Sequence, residues 1–191
     1  MAGVAQVECD TQKKVMQHPK ADEDARRIFC QKIKQYEQDN RPIVYLDESG
    51  FAHDMPRTHG YSQRGQPCLG QHDWNAKGRI NAIGALLAGV LICVGLTEAN
   101  VDADIFNLWL EHDLLPKLPD RAVLVLDNAT FHKRSDTPKI IKNAGHTLEY
   151  LPPYSPDLNM IEQKWAQAKA QRRKSGKSTE EIFKCHKWNQ N

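Results

Sequence analysis

The chain has 191 residues and a formal net charge of +2, and 26% of its residues are charged. This length suits one domain with a sizeable core. The small net charge excludes a protein that is basic over its whole surface, so any nucleic-acid contact must be a local patch.

The cysteines and the apolar stretches exclude two further classes of protein. The five cysteines are spread along the chain and form no Cys-x-x-Cys pair, which indicates free thiols in a reducing compartment. The N-terminus lacks an apolar segment of signal-peptide length, and the longest apolar stretch, residues 82–95, is too short to span a bilayer. We therefore expect a soluble cytoplasmic protein without a membrane partner.

Residues 1–41 predict a lead-in followed by one helix. Acids at 22–24 favour a helix start, because acidic side chains are stabilised at the positive end of the helix dipole. The positions spaced for one buried face are Ile28, Phe29, Ile33 and Tyr36. We assign this helix to packing or dimer contact and give it no chemistry.

Residues 42–50 predict a buried strand that ends on acidic residues. The run before Asp47 is almost continuously apolar, as in a central strand buried on both faces. Ligands of open α/β sheets bind at the carboxyl ends of such strands, which makes Asp47 a candidate site residue. Glu48 is the weaker candidate, because successive residues of a strand face opposite sides of the sheet.

Residues 51–78 form a long irregular connection in which basic and aromatic residues are interleaved with glycines. This composition suits a loop that contacts a phosphate backbone or a single strand. Connections of this length are uncommon without a function, although an ordinary surface loop is the alternative. The candidate DNA-binding residues in this loop are Arg57, His59 and Arg64.

The middle of the chain predicts a hairpin, a helix and a second strand that ends on an acid. Residues 79–87 and 90–97 are apolar runs joined by an Ala-Gly turn. Asp102 or Asp104 can cap the helix that follows, which carries a core tryptophan and stops at two prolines. Residues 121–126 then repeat the apolar strand pattern and are followed at once by Asp127.

The loop behind Asp127 is basic and includes Lys133, and a helix at 137–143 and a strand at 147–151 should follow. Next comes the elbow, our name for residues 151–160, whose prolines exclude helix and impose an extended, turn-rich path.

Asn159 can then cap a helix, with Glu162 three residues on, as in a capping box. Glu162 either only caps this helix, or the elbow presents its carboxylate to a bound group. The acids upstream favour the second interpretation.

The last predicted helix runs from about Met160 to Lys174, and its outer positions are basic, including Lys169 and Arg172. Phosphate contact and an ordinary solvated face are both consistent with this pattern. We expect residues 176–191 to form a C-terminal tail with a further short helix.

These elements predict a mixed sheet that gathers three acids. The hairpin should pair antiparallel with the first strand, and a right-handed crossover should place the Asp127 strand parallel to it. Neighbouring strands lie about 4.8 Å apart, so Asp47 and Asp127 would lie side by side. Two carboxylates this close need a cation, and oxygen ligands favour Mg²⁺ or Mn²⁺. With Glu162 as the third acid, two metal ions could serve phosphodiester chemistry.

Three segments, residues 44–49, 126–132 and 151–162, resemble the DDE transposases of bacterial insertion sequences related to mariner. The 34 residues between Asp127 and Glu162 match a spacing typical of that superfamily. The resemblance covers roughly residues 42–173 and implies a ribonuclease-H-like fold, a mixed five-stranded sheet flanked by helices. We place this domain at residues 42–175.

The resemblance also implies a reaction and its participants. Asp47, Asp127 and Glu162 would be catalytic acids that bind two Mg²⁺ or Mn²⁺ ions. The activity would be cleavage at element ends and joining of the freed 3′-hydroxyl to target DNA, usually at TA. Asn128 and His132 match family positions beside the second acid and would position DNA or the metal shell. We expect a homodimer on DNA.

Two positions depart from the family pattern. Met160 stands where the family has proline, at little cost because methionine forms helix well. The family also carries helix-turn-helix domains before its catalytic core, and about 40 residues here cannot hold them. We therefore expect recognition of the element ends to lie on another chain, with this chain as a catalytic half or a truncated remnant.

Three alternatives stay open. The first is a ribonuclease-H-like nuclease without strand transfer, and the second is a decayed or repurposed core that only binds DNA. The third is a zinc protein, since Cys68 with His72 and Cys185 with His186 have ligand spacing, but neither has a close second pair.

Overall fold

The computed structural model describes residues 19–54, 56, 59–69, 78–128 and 136–184. The strands are β1 (Ile43–Ala52), β2 (Arg79–Leu87), β3 (Val90–Thr97), β4 (Val123–Leu126) and β5 (Thr147–Tyr150). The α-helices are α1 (Glu23–Gln38), α2 (Ala103–Trp109), α3 (Asp136–Asn143), α4 (Ile161–Ser175) and α5 (Thr179–Phe183). None of these helices combines the length and the apolar character needed to traverse a lipid bilayer.

The five strands form one mixed sheet, as the sequence predicts, and their order is β3-β2-β1-β4-β5. β1 pairs antiparallel with β2 and parallel with β4, and β5 pairs parallel with β4. In the β2–β3 turn, Ala88 and Gly89 have φ angles of 48° and 79°. Two positive φ angles are typical of the turn whose twist matches that of the hairpin strands.

β1 is longer than predicted and does not end at its acidic residues. Residues 49–52 continue the strand because β2 supplies partners for them, down to the pair Ala52 with Arg79. Phe51 is fully buried and anchors this extension in the core. Asp47 therefore lies in the middle of β1, at the level where the shorter β4 ends.

The sheet has a core on each face. One face carries Leu46 and Leu124 and packs against α2, the π-helical turn Leu110–Leu114 that follows α2, and α3. The opposite face is covered by α4 over β1–β3 and by α1 over β4 and β5. In α1 the predicted buried face holds at Phe29 and Ile33, but Ile28 is half exposed, because it lies at the edge of the contact.

Residues 176–184 are part of this core. Ser178 and Glu181 form a capping box that starts α5. Phe183 at its end makes edge-to-face contacts with Phe51 and Trp165, at centroid distances of 5.4 and 5.8 Å. The segment predicted as a tail thus contributes an aromatic side chain to the packing beneath α4.

Candidate active site

The sheet register brings Asp47 and Asp127 to the same level. Tyr45 is the partner of Val125 in the parallel pairing of β1 and β4, and each acid follows two residues later, with Asp127 directly after the last residue of β4. Residues two apart on a strand face the same side, so both acids share the face that α1 and α4 cover. Asp47 and Asp127 are both half-buried.

Glu162 reaches this face from the first turn of α4. The predicted capping box is absent, since no side chain caps the start of this helix. The amide of Asn159 instead donates from Nδ2 to the carbonyl oxygen of Leu46, at 3.2 Å. Because Asn159 is buried, this bond ties the elbow to the residue directly before Asp47. Glu162 is exposed and is therefore available to a bound group.

Trp165 joins α4 to the first acid. Its Nε1–H donates to Oδ2 of Asp47 at 3.1 Å, and the indole is 1% exposed. Gly84, the partner of Asp47 in the β1–β2 register, makes room for it. A Cβ at Gly84 would lie 2.4 Å from Cη2 of Trp165. Trp165 and Glu162 are about one helical turn apart. The contact of Trp165 with Asp47 therefore also fixes the position of Glu162 along the helix axis relative to Asp47.

The acids act on one another electrostatically. The pKa of Asp47 is raised from 3.8 to about 8, chiefly by burial and next by the negative charge of Glu162. The charges of Glu48 and Asp127 raise it further, and a backbone hydrogen bond from Glu48 opposes them. The fold thus brings carboxylates together and makes ionisation of Asp47 less favourable.

This raised pKa predicts a pH dependence of stability in the metal-free protein. Between about pH 4 and pH 8 the folded state holds a proton on Asp47 that the unfolded chain has released. The free energy of unfolding should therefore fall as the pH rises through this window, by at most about 1.4 kcal/mol per pH unit. Urea unfolding at several pH values in a chelator measures it. In Asp47→Asn this slope should disappear, and parallel curves for the two proteins would contradict the assignment.

The donor set fits a divalent cation in its chemistry. Carboxylate oxygens are the ligands that Mg²⁺ and Mn²⁺ prefer, and a cation would favour the charged form that burial and like charge disfavour. In the described ranges, no group of three or more His, Cys, Asp or Glu side chains is already arranged as a metal site. The side chains would therefore have to close around an ion.

The predicted DNA-binding residues fall into three groups. Arg57, His132 and Lys133 lie outside the described residues. His59 and Arg64 are exposed on the 51–78 connection. Lys169 is half-buried on α4, with Nζ 5.5 Å from the ring centroid of Phe51.

The prediction for Arg172 needs correction, because its guanidinium is used inside the fold. Arg172 is buried, and its guanidinium donates to the carbonyl oxygens of Ala52, His53 and Lys177. It holds the end of α4 on the end of β1 and is not a phosphate contact. Asn128 stays a prediction: it is half-buried, and its side-chain amide donates to the carbonyl oxygen of Leu151, which links the segment after β4 to the start of the elbow.

Sequence reasoning missed the residues that support the acids. Trp165 follows Glu162 by three residues and so shares its side of the helix, which is the one signal in the sequence that points to it. The sequence pattern predicts a capping role for Asn159, and packing or dimer contact for the helix that carries Arg26. In the zinc alternative, His72 and the Cys185-His186 pair lie outside the described residues.

A protein-family model described as DDE superfamily endonuclease matches residues 42–182. A comparison with curated protein sequences finds no significant match.

Similar solved structures include a Mos1 transposase paired-end complex with the left transposon end. It has 20% sequence identity and a TM-score of 0.67, and the match covers 85% of this chain and 53% of the Mos1 chain. A mariner Mos1 paired-end complex with Mg has 19% identity and a TM-score of 0.67, covering 94% and 58%. The catalytic domain of Mos1 mariner transposase has 17% identity and a TM-score of 0.57, covering 89% and 82%. The chain thus spans little more than half of the transposases in the two complexes. The likeness confirms a ribonuclease-H-like fold.

Proposed function

Because this chain belongs to the DDE superfamily of endonucleases, we propose that it is a transposase catalytic domain. It cleaves DNA at transposon ends and joins the freed 3′-hydroxyl to target DNA. The observation that carries this proposal is the meeting of Asp47, Asp127 and Glu162 on one face of the sheet, where the charges of the other two acids act on Asp47.

The three acids have one role in this proposal. Asp47, Asp127 and Glu162 hold divalent cations, Mg²⁺ or Mn²⁺ and two in number. Such ions supply activation of the attacking water or 3′-hydroxyl and stabilisation of the leaving oxygen. The protein supplies the positions of the carboxylates: β1 and β4 set two of them, and Trp165 and the elbow set the third relative to Asp47.

DNA is the proposed partner, both as element ends and as target. The similar Mos1 structures include a complex with a transposon end and complexes with Mg and with Mn, which supports this choice. We further propose joining at TA dinucleotides, a homodimer on DNA, and an origin in a bacterial insertion sequence. We further propose that a helix-turn-helix unit takes part in recognising the ends.

The decisive experiment has two steps and uses the full chain. A duplex that carries a terminal inverted repeat of a transposon should be nicked in Mg²⁺ or Mn²⁺ and left intact in EDTA. A duplex pre-cut to expose its 3′-hydroxyl should then join a TA-containing plasmid. Nicking without joining would indicate a nuclease only. Retention of DNA without any product, at every metal concentration, would indicate a binding protein.

Basic residues of the 51–78 connection and of α4 should contribute to DNA affinity. We expect Arg64→Ala and Lys169→Ala each to weaken binding by about 3- to 10-fold, because each removes a positive charge that meets a phosphate. The slope of log K against log salt should lessen by roughly 0.9 per lost contact. Fluorescence anisotropy over a salt series measures both quantities. Lys34→Ala, at an exposed position of α1, is the control for loss of one charge. Equal slopes in all variants would make the 51–78 connection a plain linker.

A further inference from the structure

The elbow that leads to Glu162 is anchored at two residues that are two positions apart. Asn159 bonds to the backbone of β1, as described above. Asp157 is in the 3₁₀ turn Pro156–Leu158 and is held by Arg26 of α1. One anchor therefore faces the sheet beside Asp47, and the other faces the N-terminal helix.

The contact of Arg26 with Asp157 is a two-bond ion pair. Nη1 donates to Oδ1 at 2.9 Å, and Nη2 donates to Oδ2 at 2.7 Å. Arg26 is only 8% exposed, and its guanidinium lowers the pKa of the Asp157 carboxyl. Bidentate pairs of this kind fix geometry as well as adding energy. The next residue gives the contrast, since Arg27 and Asp24 pair in a single contact with most of both side chains in solvent.

Helix α1 is itself fixed on the sheet. Phe29 and Ile33 pack against Val125 of β4, and the Tyr36 hydroxyl donates to Oε1 of Glu149 on β5 at 2.7 Å. Lys32 makes a further ion pair with the same glutamate. These contacts hold α1 along β4 and β5. The backbone at Arg26 is therefore fixed relative to the sheet, and its side chain can hold the elbow in place.

We propose that Arg26 is a positioning residue for the active site: by clamping Asp157 it fixes the elbow and so sets Glu162 relative to Asp47. The inference rests on the proposed function for its catalytic consequence. Helix α1 precedes the segment that the family model matches. The N-terminal helix then has a part in the reaction beyond packing.

The first test separates positioning from DNA binding. Arg26→Met keeps the length of the side chain and removes both bonds, and it should lower kcat for nicking about 10-fold or more while DNA affinity changes less than 2-fold. Arg26→Lys should restore part of the loss, because lysine keeps the charge but not the two-bond geometry. The double exchange Arg26→Asp with Asp157→Arg should also recover activity. Arg27→Met, which breaks the exposed pair, should behave as the parent protein. A parallel fall in Arg26→Met and Arg27→Met would overturn the proposal.

The second test does not depend on DNA cleavage. In the elbow and the start of α4, the amides of Leu158, Asn159 and Glu162 donate to the carbonyl oxygens of Ser155, Pro156 and Asn159. Hydrogen exchange at these amides should accelerate about 10-fold or more in Arg26→Met, with no change in the β2–β3 hairpin. If the exchange rates of the elbow amides did not change, or if exchange accelerated equally throughout the protein, the proposal that Arg26 fixes the elbow would be overturned. If exchange accelerated only in the elbow but the parent protein cut no DNA, the Arg26–Asp157 contact would still be shown to fix the elbow. The proposed function would then be rejected.

Discussion

Asp47→Asn, Asp127→Asn and Glu162→Gln should each abolish metal-dependent strand cleavage while the fold stays intact. Each change keeps the shape of the side chain and removes a negative charge that the cations need. A loss of about 4 kcal/mol in transition-state stabilisation would lower the rate about 1,000-fold. Asp47→Asn should also stabilise the metal-free protein at neutral pH, because it removes a buried carboxyl whose pKa is raised.

The assay is nicking of the terminal-repeat duplex, with folding checked by circular dichroism and urea unfolding. Glu48→Gln is the matched control, because Glu48 neighbours Asp47 in sequence while alternation along β1 turns it toward the opposite face. We expect Glu48→Gln to retain most of the activity. Full activity in any one of the three acid variants would remove that residue from the site.

Gly84→Ala should impair both stability and cleavage. The added methyl would lie 2.4 Å from the Trp165 ring, closer than packed atoms allow, so the indole must move. Overpacking of this kind costs about 1–3 kcal/mol of unfolding free energy. The displaced ring would also lose its hydrogen bond to Asp47. We therefore expect cleavage to fall by more than about 10-fold at a temperature where the variant is fully folded.

Gly95→Ala is the control for the stability effect alone. Its methyl would lie 2.7 Å from Cδ1 of Trp109, which packs in the core on the other face of the sheet. A similar loss of unfolding free energy is expected, with cleavage close to that of the parent protein. If the two glycine variants lost activity in proportion to their loss of stability, the hydrogen bond between Trp165 and Asp47 would have no role in cleavage beyond its effect on stability.

Local pattern was enough to predict most of the elements. The apolar run of β4, the Ala88-Gly89 turn and the stop of α3 at Gly145 depend on residues adjacent in sequence, and each element formed where it was expected. Alternation along a strand likewise predicted that Asp47 and Glu48 face opposite sides. The spacing of the acids, together with strand order, identified the candidate site.

Local patterns could not predict the pairing of residues that are far apart in sequence. β1 extends to Ala52 because β2 offers it partners, and a run of local residues does not contain that information. Arg172 is one of several basic residues near the end of α4, and of these it alone is buried, because the ends of β1 and α4 meet there. A charged side chain is expected in solvent unless tertiary contacts supply carbonyl partners.

The sequence by itself determined the type and order of the secondary structure and the acidic residues of the candidate site. Only the tertiary structure decided what supports those acids: Trp165 bonds to Asp47, Asn159 to the backbone of β1, and Arg26 to Asp157. The physical reason is that strand and turn preferences are set by neighbours along the chain. A buried polar group takes whichever partner the packed fold places within about 3 Å, and these partners are more than 100 residues away in sequence.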